Sequence, residues 1–112
     1  MVKLQYNRGD VYWVKLDPAV GSETKKTRPG VIVSNNLQNN NGNHVVIIPA
    51  TTAMKKLYPF EVVINIAGTP SKFMADQIRA VDYQRLSKKI GELSAEELND
   101  VDRALKLVLA LT

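Results

Sequence analysis

The chain has 112 residues, of which 45% are apolar and 23% charged, with a formal net charge of +4. That is the size and composition of one ordinary folded domain, expected over residues 1–112, able to bury roughly 60–70% of its unfolded surface. It holds no cysteine and one histidine. Disulfide scaffolds, thiolate zinc sites, cysteine nucleophiles and paired-histidine acid–base chemistry are thereby excluded, while the basic balance points weakly to a polyanionic partner. The N-terminus carries no secretory pattern, and no apolar run, Val45–Ile48 included, comes near the roughly 20 residues of a membrane span. The expectation is a cytoplasmic protein of bacterial type without membrane contact. Dinucleotide, P-loop, HExxH and EF-hand patterns are absent.

The first predicted strand is Val11–Leu16, with Tyr12, Val14 and Leu16 on one face and Val11 and Trp13 on the other. Asp17-Pro18 ends it, and residues 17–27 read as a long polar loop. A second strand, Val31–Ser34, is entered through Arg28-Pro29-Gly30. The Asn-rich stretch 35–43 reads as a solvated loop, and Val45–Ile48 as a strand buried on both faces. Phe60–Ile66 is a fourth strand, Gly68–Ser71 a turn, and Phe73–Val81 a fifth strand. Near the end the period changes. Ser94 and Glu97 form a capping box, and Leu98, Val101, Leu105, Val108 and Leu111 recur at helical spacing, predicting a helix over about 95–110 with an Asp102–Lys106 pair. Five short strands and one helix predict a small, mainly β fold, a bent antiparallel sheet or barrel with a C-terminal helix packed on it.

Three clusters carry candidate chemistry. Lys25, Lys26 and Arg28 sit at a loop–strand junction, where a guanidinium can fork onto a phosphate; a solvated charged loop reads as well. Thr51-Thr52 end a buried strand and serve either as turn hydroxyls or as donors to a phosphate oxygen. Asp76, Gln77 and Arg79 interrupt an apolar stretch and imply a buried network or a site. His44 is expected to be exposed or locally bonded. Tyr58 and Phe60 are expected in the core or at a hinge, with Tyr58 also able to stack on a base.

In this order the clusters resemble the MazF/PemK (Kid) family of toxin–antitoxin ribonucleases. The matching elements are RGDVYWVKLDP at 8–18, GSE at 21–23, TRP at 27–29, VIVS at 31–34, PATTA at 49–53, YPFEVVI at 58–64 and DQIR at 76–79. The resemblance implies an SH3-like barrel used as a homodimer. It implies an endoribonuclease that cuts single-stranded RNA, chiefly messenger RNA, without metal or cofactor, leaving a 2′,3′-cyclic phosphate and a 5′-hydroxyl. The implied partner is an antitoxin with an acidic, disordered tail. In the MazF branch the catalytic pair falls on Arg28 and Thr52. The substrate's own 2′-hydroxyl is then the nucleophile, and the protein must align it and stabilise the charge on the phosphorane. Arg28 suits the second task and is a poor base. Thr52 would hold a non-bridging oxygen. Glu23 is the nearest candidate, by motif, to take the 2′ proton. Lys25, Lys26 and Lys55 would contact phosphates, with Thr51 beside them, and Gln77 could read a base edge.

The Kid branch places an arginine two residues before the aspartate of its DQ motif; Met74 stands there here, which favours the Arg28–Thr52 assignment over one on Asp76. Lys25-Lys26 make the 17–27 loop more basic than in many relatives. Two other functions stay open on the residues alone: a CcdB-like gyrase poison of the same fold, which Val108–Thr112 does not decide, and a non-catalytic RNA-binding barrel. A homodimer is expected from the resemblance and from the apolar pair Val11/Trp13.

Overall fold

The computed structural model describes residues 5–17, 21 and 26–111. Among the described residues, seven strands and two helices follow in chain order: β1 (Asp10–Lys15), β2 (Thr27–Ile32), α1 (Asn36–Asn39), β3 (His44–Thr51), β4 (Glu61–Ile66), β5 (Thr69–Met74), β6 (Arg79–Asp82), β7 (Leu86–Glu92) and α2 (Ala95–Val108). All pairings are antiparallel, in the order β4-β5-β3-β2-β1-β7, with β6 added to the first half of β3. β3 thus pairs with β6 at one end and β5 at the other, as a curling sheet requires. The β1–β7 register shifts on both sides of Tyr12, and such irregularities bend and twist a strand.

Strand alternation sorts side chains into two cores. Val11, Val31, Ile48, Ala50 and Phe73 fill the face covered by α2, which contributes Val101 and Ala104. Val14, Leu16, Ile32, Val45, Ile47 and Val81 fill the opposite face with Tyr6. β3 is therefore buried on both sides, as its unbroken apolar run predicts. Gly30 is required where β1 crosses β2, because a Cβ there would lie 2.8 Å from Val14 Cγ2. Ala67 and Gly68, with φ of 51° and 83°, form a two-residue loop that matches the twist of β4 and β5. α2 begins on the expected capping box: Ser94 Oγ accepts from Glu97 N–H at 3.2 Å and Glu97 Oε1 from Ser94 N–H at 2.8 Å.

Several expectations are corrected. β2 begins at Thr27, so Arg28 lies on a strand and not in the loop before it. The predicted strand Phe73–Val81 is two strands broken by a 3-10 turn at Ala75–Gln77, which removes Asp76 and Gln77 from any ladder. The turn expected at Gly68–Ser71 shrinks to Ala67-Gly68, and Pro70 lies within β5. β7 has only a weak alternation, LSKKIGE, and escapes a sequence reading. The Asn-rich stretch contains α1 and a fully buried Asn39. Val11 is buried in the chain's own core and cannot face a second copy; of the pair only Trp13 reaches solvent, 38% exposed. Asp102 pairs with Arg8, tying the N-terminal segment to α2, instead of with Lys106. Leu111 lies beyond the helix and is exposed; Leu107, inside α2, and Leu109, its C-cap, are exposed as well. Tyr58 is exposed and Phe60 half-buried, stacked on each other outside both cores. His44 is exposed beside Asn43, as expected. Among the described residues no helix is long and apolar enough to cross a membrane.

Candidate active site

Sheet register places the central residues. Val14 on β1 faces Arg28 on β2. Gly30 faces Pro49 across β2 and β3, and two further residues along that register bring Arg28 opposite Thr51. Thr51 in turn faces Lys72 on β5. Directly opposed residues in an antiparallel pair point to one side of the sheet. Arg28, Thr51 and Lys72 therefore form a lateral row across three strands. Within it, Arg28 Nη1 donates to Thr51 Oγ1 at 3.4 Å, a long bond that a better acceptor can replace. Thr51 Oγ1 also accepts from Ala53 N–H at 3.2 Å, which turns the chain out of β3. Arg28 is half-buried, so its charge sits at the boundary between core and solvent, where it is less screened than on an open surface.

Thr52, one residue past the end of β3, is exposed and lines a cavity of about 190 Å³ with Trp13, Pro29, Ile66, Thr69, Ser71 and Ile90. Two adjacent hydroxyls thus serve two places: Thr51 the arginine, Thr52 an apolar-walled recess with a hydroxyl rim. Lys26 is exposed at the foot of β2 in a left-handed conformation, φ 70°. Its N–H donates to Asp17 Oδ1 at 2.9 Å and its carbonyl accepts from Leu16 N–H at 2.9 Å, which fixes the base of the basic loop. Lys55 is exposed on the segment 52–60, and Gln77 is partly buried on the 3-10 turn after β5. Glu23 and Lys25 lie outside the described residues. Asp76 is exposed and Met74 buried. Among the described residues no three His, Cys, Asp or Glu side chains converge to hold a metal ion.

Sequence reasoning missed two contributors. Trp13, read there as a dimer contact, is a wall of the Thr52 recess. Lys72, in none of the expected strands or clusters, is buried in the row beside Thr51. Its strand reads TPSKFM, only half apolar, so nothing local marks this lysine as buried, although buried lysines need partners.

Strands and side chains together define a small curled half-barrel with an arginine–threonine row beside the exposed, lysine-bearing segment 52–60. The family described as PemK-like, MazF-like toxin of type II toxin–antitoxin system matches residues 7–109. The chain is 40% identical to the endoribonuclease MazF9 of Mycobacterium tuberculosis over 113 residues, covering 93% of this chain and 96% of that protein. A crystal structure of MazF from Deinococcus radiodurans superposes with a TM-score of 0.86 at 26% identity, over 96% of this chain and 99% of that one. An endoribonuclease from a mycobacterial species, solved in complex with its cognate antitoxin, gives a TM-score of 0.81 at 27% identity, over 96% and 97%. The chain belongs to the PemK-like, MazF-like family of type II toxin–antitoxin toxins. The membership accounts for the order of the motifs, and the β2–β3 register sets Arg28 of the TRP motif against Thr51 of the TT motif.

Proposed function

We propose that the chain is the toxin of a type II toxin–antitoxin pair and a sequence-specific endoribonuclease that cleaves single-stranded messenger RNA, thereby stopping translation. The observation that carries this reading is the Arg28–Thr51 contact across adjacent strands, with Thr52 next to it. In the proposed reaction the 2′-oxygen attacks the adjacent phosphorus and the bond to the 5′-oxygen breaks. The products are a 2′,3′-cyclic phosphate and a 5′-hydroxyl; one proton leaves the 2′-hydroxyl and one reaches the departing oxygen. Arg28 releases Thr51 and donates to the non-bridging oxygens as they gain charge, while Thr52 donates to one of them. The RNA supplies the nucleophile, so the protein needs neither a metal ion nor a cofactor, and its task is alignment and charge.

Lys26, Lys55 and Lys56 are exposed around this edge, a fit both for a phosphate backbone and for an acidic antitoxin segment that would cover it. A homodimer is part of the proposal. Val11 does not serve it; the exposed apolar residues Leu57, Val63, Leu107 and Leu111, which border a groove of about 790 Å³ between α2 and β4, are the surface that suits a second copy. The gyrase-poison reading is not favoured, since the homologue MazF9 is named an endoribonuclease. The test is incubation of the purified chain with a single-stranded transcript in EDTA. Discrete fragments ending in a cyclic phosphate are expected, and intact RNA would overturn the proposal.

A further inference from the structure

Lys72 is a buried cation in the middle of β5, its side chain 11% exposed, and the side chain of its partner Glu61 is 7% exposed. The ammonium lies 3.6 Å from Glu61 Oε1 and donates to the Lys56 carbonyl at 2.7 Å. Glu61 Oε1 also accepts from Tyr58 N–H at 2.9 Å. The pair therefore holds the 52–60 segment at two backbone points, Lys56 and Tyr58. Thr52 to Pro59 are all exposed, so side-chain burial does little to fix the segment. The two anchored residues carry its chemistry: the Lys56 ammonium lies 4.9 Å from the Tyr58 ring centroid, and that ring stacks on Phe60 at 5.3 Å.

A buried ion pair is a poor device for stability alone, since well-packed apolar residues serve as well or better. Its value here is directional: a charge can fix a carbonyl and an amide that an apolar side chain cannot. Building on the endoribonuclease reading above, we propose that Lys72 is a positioning residue for RNA. Through the Lys56 carbonyl and Glu61 it shapes the 52–60 segment so that Lys55, Lys56 and Tyr58 meet a strand lying across the Arg28–Thr51 row. Arg28 and Thr51 are themselves held by the β2–β3 and β3–β5 ladders, which do not need the Lys72 side chain. Loss of Lys72 should therefore weaken substrate binding far more than the chemical step.

The test measures kcat and KM on a short RNA containing a mapped cut site, with amide hydrogen exchange at residues 56–58. Lys72→Met alone strands a buried carboxylate and endangers folding; the double variant Lys72→Met/Glu61→Gln removes both charges and keeps an acceptor for Tyr58 N–H. In the double variant KM should rise about tenfold, the effect of one charge-assisted hydrogen bond, with kcat nearly unchanged and faster exchange at 56–58. Lys72→Arg, which retains donors for both partners, should restore most of the affinity. An unchanged KM in the folded double variant, or a kcat that falls as far as KM rises, would overturn the assignment. A wild-type protein that cuts no RNA would instead refute the endoribonuclease reading on which it rests.

Discussion

The loops on either side of β3 are held in opposite ways. In the one before it, asparagine side chains bind backbone. Asn36 Oδ1 accepts from Arg8 N–H at 2.7 Å, and Asn40 accepts from Tyr6 N–H and donates to its carbonyl, both at 3.0 Å. Asn39 is buried, donating to the Ser34 carbonyl at 2.9 Å, bonded to Ser34 Oγ, and accepting at its own carbonyl from the Tyr83 hydroxyl. In the loop after β3 the side chains from Thr52 to Pro59 point to solvent, and its backbone is anchored from below by Thr51, Glu61 and Lys72. A loop that spends its polar side chains on neighbouring backbone is scaffold. A loop whose backbone is satisfied from elsewhere keeps its side chains for a ligand.

The comparison predicts a clean separation of activity from stability. Arg28→Ala, at the edge that the second loop extends, should lower kcat by about 100-fold or more, the usual effect of removing a donor to a developing charge. Its melting temperature should shift by no more than about 3 °C. Asn39→Ala should do the reverse, lowering the free energy of unfolding by about 2–3 kcal/mol because it leaves buried partners unpaired, while cleavage per folded molecule is unchanged. Denaturant titration beside single-turnover kinetics reads both, and a swap of the two phenotypes would break the comparison. Lys55→Ala should have a smaller effect, a KM about threefold higher and a salt dependence of binding shallower by about 0.7 in the log–log slope, one phosphate contact on a single strand.

The smallest effect belongs to the scaffold side. Burial, and then the charge of Tyr83, raise the Tyr6 phenol above its ordinary value near 10. Above that pH the unfolded chain gives up this proton while the folded chain retains it, so the unfolded state binds fewer protons and stability falls as pH rises. Tyr6→Phe should therefore make the alkaline loss of melting temperature shallower and leave the neutral range unchanged. An equally steep alkaline limb in the variant would remove Tyr6 from that role.

How much of this was legible follows the physics of each segment. The α2 capping box, the doubly buried β3 and the alternation of β1 rest on local patterns and were read directly. Arg28 and the threonine pair could be named from their motifs, but their meeting depends on the register between β2 and β3, which no local pattern encodes. The Asn-rich stretch misled because composition reports polarity, whereas Asn39 is polar and buried. Strand β7 is a polar edge strand, and such edges carry little hydrophobic signal. Lys72 was invisible because its significance lies in partners 11 and 16 residues away, brought together only by the β4–β5 hairpin.

The central claim is that the protein contributes charge and alignment at Arg28 while the RNA contributes the nucleophile. The most direct measurement uses an RNA of mapped cut site carrying one 2′-deoxy substitution on the 5′ side of the scissile phosphate. The account predicts that the wild-type protein binds this RNA with nearly unchanged affinity and does not cut it. Cleavage of the substituted RNA at the same position would contradict the account.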